Sequence, residues 1–402
     1  MNIGLGISLE KTPTQAAKEA TSQAVSCLNK RKIDLAICFS SIDLSCFTLL
    51  KTISGLLPGV PLIGSSGEAI MTNQGILKHG LAIMLISLPE GVYIHTAAVK
   101  NIKSKSGSSA GQELGDHLLT GFGNMRRAFS VIFSDALIEE SANLISGIQE
   151  KLGKSFPFIG GSAADNLTQV KTNLYYNQEI FSDGCVGMLW GGKLNFGMGI
   201  KHGWKPLGKP HTVTLSQGNI VVTIDDIPAA QLYESYLGYN LAKLKRELKH
   251  ISIFYPIGIY LPGEKEYLLR NVLSVDNDGS LRFQGDVPQG SMVRIMISTK
   301  ETCLEATRQA IDDSKKSIYN PMTEHRKENE RNFIIAFSSL SRYLLLKREA
   351  EQELEIIKKS FGQDTPILGL YTHGEVAPLT AENYLGKVYL HNQSITILNI
   401  GG

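Results

Sequence analysis

Three times along the chain an apolar run ends in Phe-Ser plus a small or acidic residue. A helical stretch follows, and a second apolar run opens on proline and reaches glycine. The copies read DLAICFSS and PLIGSSGE (residues 34–41 and 61–68), FSVIFSD and PFIGGSAAD (129–135 and 157–165), and FIIAFSS and PILGLYTHGE (333–339 and 366–375). Unbroken apolar runs of this length, bounded by turn residues, mark strands buried on both faces. Each copy is predicted as strand–helix–strand, and short links favour parallel pairing through the helical crossover.

The intervening sequence fills in around these units. Thr12 as a cap and Pro13 at the first helical position start a helix whose alanines carry it to about Arg31. Residues 44–57 read as helix, ended by Pro58-Gly59. Residues 78–88 and 92–99 read as paired strands joined by Pro89-Glu90-Gly91. In the second unit a helix over 139–152 ends at Gly153, and two more β-like runs, CVGML and LNFGMGI, flank Gly191-Gly192. Gly, Pro and His interrupt the pattern over 202–211, which puts a junction near residue 215 and divides the chain into domains of residues 1–215 and 216–402. Beyond it, Asp226 and Pro228 start a helix running to about His250, with strands over 251–260 and 267–275. Asp276-Asn277-Asp278-Gly279 makes a hairpin turn into 281–283, lacking the spacing of a calcium loop. Ser298 and Glu301 read as a capping box, and 320–332 as a surface loop. The fold class expected is α/β, with layered mixed sheets, outer helices and pseudo-repeated units in two domains; two sheets are the expected number.

Composition narrows the function classes. The 402 residues are 43% hydrophobic and 19% charged with formal net charge +2, which points neither to nucleic acid nor to an anionic membrane. The longest apolar runs are strand-length, and no basic stretch leads into an apolar core near Met1, so a cytoplasmic protein is expected. Five cysteines without a C-x-x-C pair give no local metal motif; Cys38 reads as a core thiol.

Several segments together resemble the FIST sensory-domain family. FSS with PLIGSSGE resembles its N-terminal domain. YLGYN (236–240), YPIGIY (255–260), Arg270 with VLSVDNDGSLRFQGDVPQG, FSSLSR (337–342), GLYTHGEVAP (369–378) and HNQSITIL (391–398) resemble its C-terminal domain. The resemblance spans nearly the whole chain. It implies a ligand-binding sensory module of signal transduction, with small molecules such as amino acids as proposed ligands and a signalling protein such as a histidine kinase as partner. Some relatives are described as haem-containing nitric-oxide sensors, which makes haem the alternative cofactor, and others are fused to an F-box. Ser339 stands where many relatives carry cysteine, so a thiol role there does not transfer. With no kinase, cyclase or F-box segment in the sequence, output in trans is expected.

Ligands of open α/β sheets bind beyond the carboxyl ends of strands. That position holds Ser40, Ser41, Asp135, Ser338 and Ser339 after the first strands, and Gly67, Glu68, Ser162, Tyr371, His373, Gly374 and Glu375 after the second. Glu68 and Glu375 share a Gly-Glu context. Arg342 complements them in charge and could grip a carboxylate, so a zwitterion such as an amino acid suits the set; an Arg342–Glu375 bridge within the protein is the competing reading. Tyr371 is placed to stack on a ligand, and His373 is the candidate haem ligand, ahead of His202 and His391. No phosphate loop, zinc-protease or nucleophile-elbow motif occurs, and no spacing assigns a catalytic triad. An enzyme acting on a small polar metabolite stays open as a second alternative.

Overall fold

A computed structural model of the chain describes residues 1–138, 140–165, 171–264, 266–316, 333–381 and 384–401. The first 87 residues form β1 (Asn2–Ser8), α1 (Pro13–Ser26), β2 (Leu35–Ser41), α2 (Phe47–Leu56), β3 (Leu62–Gly67), the hairpin β4 (Ile70–Thr72) and β5 (Gly75–Leu77), and β6 (Leu81–Ser87). The same order returns as β7 (Val92–Lys100), α3 (Gly107–Phe122), β8 (Arg127–Asp135), α4 (Ser141–Leu152), β9 (Phe158–Ala163), the hairpin β10 (Leu174–Tyr176) and β11 (Glu179–Phe181), and β12 (Gly184–Gly192).

A third copy begins at β13 (Asn195–Lys201) and is interrupted at once. The insertion comprises β14 (Lys205–Gln217), β15 (Ile220–Ile224), β16 (Ile227–Pro228), α5 (Ala230–Leu237), α6 (Leu241–Arg246), α7 (Leu248–Phe254), β17 (Ile257–Ile259), β18 (Leu268–Arg270), β19 (Val272–Val275), β20 (Leu281–Phe283) and β21 (Met292–Ile297). The copy then resumes with α8 (Lys300–Lys316), β22 (Phe333–Ser339), α9 (Leu340–Leu346), α10 (Ala350–Phe361), β23 (Ile367–Thr372), the hairpin β24 (Glu375–Ala381) and β25 (Tyr384–His391), and β26 (Ile395–Gly401).

Among the described residues there are four sheets, not two. Three are six-stranded and share one plan, β1-β6-β2-β3, β7-β12-β8-β9 and β13-β26-β22-β23, with the predicted parallel pair in each. Each plan is completed by a hairpin from another repeat. The first repeat lends β4–β5 to the third sheet, the second lends β10–β11 to the first, and the third lends β24–β25 to the second. This closed exchange corrects two sequence expectations. β6 and β7 lie in different sheets, as do β12 and β13, so Pro89-Glu90-Gly91 and Gly191-Gly192 connect repeats instead of forming hairpins. The fourth sheet is the insertion, and the junction expected near residue 215 falls inside its strand β14.

The repeated motif has a packing cause. Phe39, Phe133 and Phe337 point inward from β2, β8 and β22 and meet edge-on, with centroids 5.5, 5.7 and 6.4 Å apart. All three are fully buried in one apolar core shared by the three sheets. Edge-to-face packing suits the ring quadrupole, so the triad adds specific geometry to its area burial. One position before the level of each phenylalanine, the partner strand carries glycine. A Cβ on Gly64 would lie 1.8 Å from the carbonyl oxygen of Cys38, and one on Gly160 would lie 1.9 Å from that of Ile132. The Pro–apolar–apolar–Gly signature therefore records how closely the parallel strands approach.

Other boundaries moved for local reasons. The first helix stops at Ser26, and Asn29 and Lys30 turn into the left-handed region. The helix expected over 228–250 is broken into α5, α6 and α7, with Gly238 left-handed and the Asn240 side chain capping α6. Residues 251–254, expected as strand, finish α7. At α8 the cap is Thr299, whose hydroxyl accepts from Thr302 N–H, while Ser298 bonds back to Gly203. The Asp276–Gly279 turn joins β19 to β20 as predicted. The surface loop expected over 320–332 lies outside the described residues.

A core built on three rings should be sensitive to losing one. Phe133→Ala is expected to destabilise the chain by roughly 3–5 kcal/mol, read from urea unfolding; a loss of under about 1 kcal/mol would show that the triad is not the keystone.

Candidate functional site

The strand order places the carboxyl ends of β3, β9 and β23 around one pole of the pseudo-three-fold axis. Their backbones are stitched together there. Ala164 N–H donates to Ser66 O, Tyr371 N–H to Ala69 O, and Ser162 N–H to Gly374 O. Registers make the repeats comparable residue by residue. Ser66, Ser162 and Tyr371 oppose Ser40, Ser134 and Ser338, and all of these face the outer helices. Tyr175, Val376 and Met71 from the lent hairpins oppose Gly64, Gly160 and Gly369.

In the first repeat this strand-end crevice is filled by Tyr175. Its hydroxyl donates to Ser45 Oγ at 2.6 Å and bonds Ser40 Oγ at 2.7 Å, and Asn173 Nδ2 donates to the same Ser45 oxygen. Ser40 is thus bound within the protein. In the third repeat the crevice is filled by Tyr371, whose hydroxyl donates to Glu353 Oε2. Arg342 lies there too, with no exposed surface. Its Nε and Nη2 donate to Glu353 Oε1 at 3.1 and 2.5 Å, Nη1 to His202 O, and Nη2 to Cys303 O and Thr307 Oγ1.

The second repeat has Ser162 and Val376 where the others have tyrosine, and there the crevice stays open. A cavity of about 180 Å³ is lined by Ser162 and His373 at the strand ends, Leu137 and Ser141 before and at the start of α4, and Arg282 and Gln284 from the inserted sheet. Gln284 Nε2 donates to His373 O at 2.7 Å, tying the insertion to the β23–β24 turn. His373 Nε2 lies 3.6 Å from Asp165 Oδ1. Glu68 approaches the same group, and burial pushes its carboxyl up, with His373 partly opposing.

Of the thirteen positions that the sequence placed at the ligand site, the structure brings Ser162 and His373 to this cavity, with Glu68 behind His373. The others serve the framework. Ser41 exchanges hydrogen bonds with Gly80, and Asp135 accepts from Leu137 N–H, Thr172 Oγ1 and Asp183 N–H. Ser338 is buried with its hydroxyl unpartnered. Gly67 has no side chain because Leu370 fills that space, with a Cβ falling 2.1 Å from Leu370 Cδ1. Gly374 is buried in the turn, offering its carbonyl to Ser162. Ser339 caps α9.

The expected pairing of Arg342 with Glu375 around a shared ligand is not what forms. Arg342 is saturated by Glu353 and its neighbours under the helices, whereas Glu375 points into the core. Glu375 opposes Gly161 in the position held by Leu174 and Ile70 in the other hairpins. It accepts from Thr372 Oγ1 at 2.9 Å and Ser394 N–H at 3.1 Å. Nor is Glu68 its counterpart: Glu68 precedes a hairpin, while Glu375 is the first residue of a strand. Arg282 and Gln284, which sequence reasoning passed over, lie in the VLSVDNDGSLRFQGDVPQG segment, whose signal was its specificity and not its periodicity.

The cavity does not fit a haem at His373. At about 180 Å³ it is below the roughly 300 Å³ at which drug-sized ligand sites begin. His202 and His391 are committed elsewhere. His202 Nδ1 accepts from Trp204 N–H, and burial lowers its pKa to about 4. His391 bonds Ala377 O, and burial lowers its pKa to about 3. Among the described residues no cluster of three His, Cys, Asp or Glu side chains is arranged for a metal ion. No helix is long and apolar enough to cross a membrane among them.

Burial pushes Glu375 up to about 8, so the folded chain holds this proton that the unfolded chain releases. The stabilisation is complete below the ordinary carboxylate range. It falls by about 1.4 kcal/mol per pH unit as pH rises toward 8. Glu375→Gln should remove that slope between pH 6 and 8 in urea unfolding; a slope unchanged by the substitution would contradict the assignment.

Comparison with known proteins supplies the wider context. The chain is 23% identical over 296 residues to "Uncharacterized protein MJ1623" of Methanocaldococcus jannaschii, covering 68% of this chain and 56% of that protein. It is 21% identical over 397 residues to "Uncharacterized protein Mb0898c" of Mycobacterium bovis, covering 96% of each. A solved structure titled "Cyanuric acid hydrolase: evolutionary innovation by structural concatenation" aligns over 100% of this chain and 99% of its own at 8% identity, with a TM-score of 0.34, too low to carry an argument. The family models match as a FIST N domain over residues 34–227 and a FIST C domain over residues 229–378. With nearly its whole length matched, the chain belongs to the FIST family, whose domains are associated with sensory modules of signal transduction.

Proposed function

We propose that this chain is a cytoplasmic small-molecule sensor that takes a small polar metabolite, such as an amino acid, into the strand-end crevice of its second repeat. One observation carries the reading: of three equivalent crevices, two are plugged by Tyr175 and Tyr371, and the third is open and roofed by Arg282 and Gln284. The size of the cavity suits a small metabolite, and its walls mix polar groups with Leu137, Phe283 and Leu390.

The position also suits signalling. A ligand here touches both the three-repeat body and the inserted sheet. Those parts are already joined across the crevice by Gln284 to His373 O, and nearby by Arg270 Nη1 to Leu390 O and Asn271 N–H to Asn392 Oδ1. Occupancy would tighten this seam and alter the surface presented to a partner such as a histidine kinase, since a ligand shifts an equilibrium by its differential contacts with the two states.

A thermal-shift screen of amino acids and other small metabolites tests the proposal. A true ligand raises the melting temperature by linkage. Ser162→Tyr, which copies the Tyr371 plug of the third repeat, is expected to abolish that shift while the chain keeps its circular dichroism spectrum. A ligand-induced shift that survives Ser162→Tyr would place the site elsewhere.

A further inference from the structure

The open crevice has an electrostatic direction that its two plugged counterparts lack. Arg282 lies in β20, a strand of the inserted sheet, and lines the cavity while only partly exposed. Among the described residues no carboxylate pairs with it. Opposite stands the N-terminus of α4, a helix of 12 residues whose Ser141 also lines the cavity. That terminus has no capping side chain and no acidic residue in its first turn. Glu140, at its cap position, turns away instead, and its Oε2 accepts from Gly107 N–H at the start of α3. The positive end of the α4 dipole therefore borders the same cavity as a guanidinium that no carboxylate pairs with among the described residues.

The third side of the cavity carries the complementary sign. His373 is nine-tenths buried, and its Nε2 has no hydrogen-bond partner. Asp165 Oδ1 stands 3.6 Å away, with the half-buried Glu68 beyond. An anionic head group set on that side would lie against His373, with the two acidic side chains behind it. Set between Arg282 and the first turn of α4, it would meet a cation and the positive end of a helix dipole.

We infer that the crevice holds a seat for an anionic head group, carboxylate or phosphoryl, gripped by Arg282 and the first turn of α4, with the neutral or cationic remainder of the ligand directed toward His373 and Asp165. This rests on the reading of the crevice as the ligand site and adds the orientation and class of its occupant. Arg282 thereby takes the role that the sequence suggested for Arg342. Its planar fork suits both head groups, while a lysine would supply charge without the bidentate geometry.

Binding to the full-length chain is measured by calorimetry and melting temperature, using acetate, inorganic phosphate and acetamide as probes at constant ionic strength. Acetate or phosphate is expected to bind, with acetamide, the uncharged near-isostere of acetate, at least tenfold weaker; whichever anion binds better identifies the head group. Arg282→Gln should weaken the anion by roughly tenfold or more, and Arg282→Lys should restore part of the loss. Equal binding of acetate and acetamide, both lost in Ser162→Tyr, would overturn the anion seat while leaving the crevice as the site. Anion binding unchanged in Arg282→Gln, or no binding of either anion, would overturn the inference as well.

Discussion

The meeting of Phe39, Phe133 and Phe337 is the contact on which the rest of the molecule depends. Three rings edge-on at 5.5 to 6.4 Å fix three sheets at one mutual angle, because a shift in any one strand opens a gap beside the other two. The cyclic loan of hairpins locks the same arrangement from outside, since each sheet is completed by strands from another repeat. None of the repeats can bury its own inner face alone. The inner faces of all three belong to one core, and the outer helices pack each sheet from the far side.

The proposed function follows from where this near-symmetry is broken. Symmetric assembly yields three equivalent crevices at the carboxyl ends of the parallel strands, each large enough for an aromatic ring. Two are closed by tyrosines that join internal hydrogen-bond networks, and the third repeat adds a buried ion pair between Arg342 and Glu353. Breaking such a pair costs several kcal/mol because one charge is left stranded, which makes Arg342 a poor residue to spare for a ligand. The remaining crevice is the one over which the insertion places Arg282 and Gln284. The proposed sensing of a small molecule at the seam between the three-repeat body and the inserted sheet suits a family associated with signal transduction, because occupancy there would change contacts on both sides.

Much of the architecture was legible in the sequence, for a reason specific to it. The parallel pairs are buried on both faces, so they appear as unbroken apolar runs, and the close approach at Gly64 and Gly160 forces the glycine that makes the copies recognisable. The lent hairpins were not legible as such. The sequence pattern assigned no strand at β4 or β10, because a three-residue strand is too short to show a period. A signal was present in Asn73-Gln74 and Asn177-Gln178, since Asn73 Oδ1 accepts from Ile367 N–H and Asn177 Oδ1 from Leu62 N–H at the same point of the repeat. At the site, strand-end placement named Ser162 and His373, which the structure brings to one cavity. It could not separate them from Ser40 or Arg342, because whether a strand end is open or filled depends on Tyr175, Tyr371 and Glu353, which arrive from distant segments. Charge complementarity alone made Arg342 and Glu375 look like partners; burial on opposite faces of the sheet layer keeps them apart.

Amide hydrogen exchange on the full chain, with and without a metabolite that raises its melting temperature, tests the central claim most directly. Slowed exchange confined to residues 136–138, 141, 162 and 282–285 is the predicted result, because these residues wall the open crevice of the second repeat. Protection concentrated instead at residues 57–61 and 94–96, which line an open cleft of about 610 Å³ near the start of β3, would contradict it.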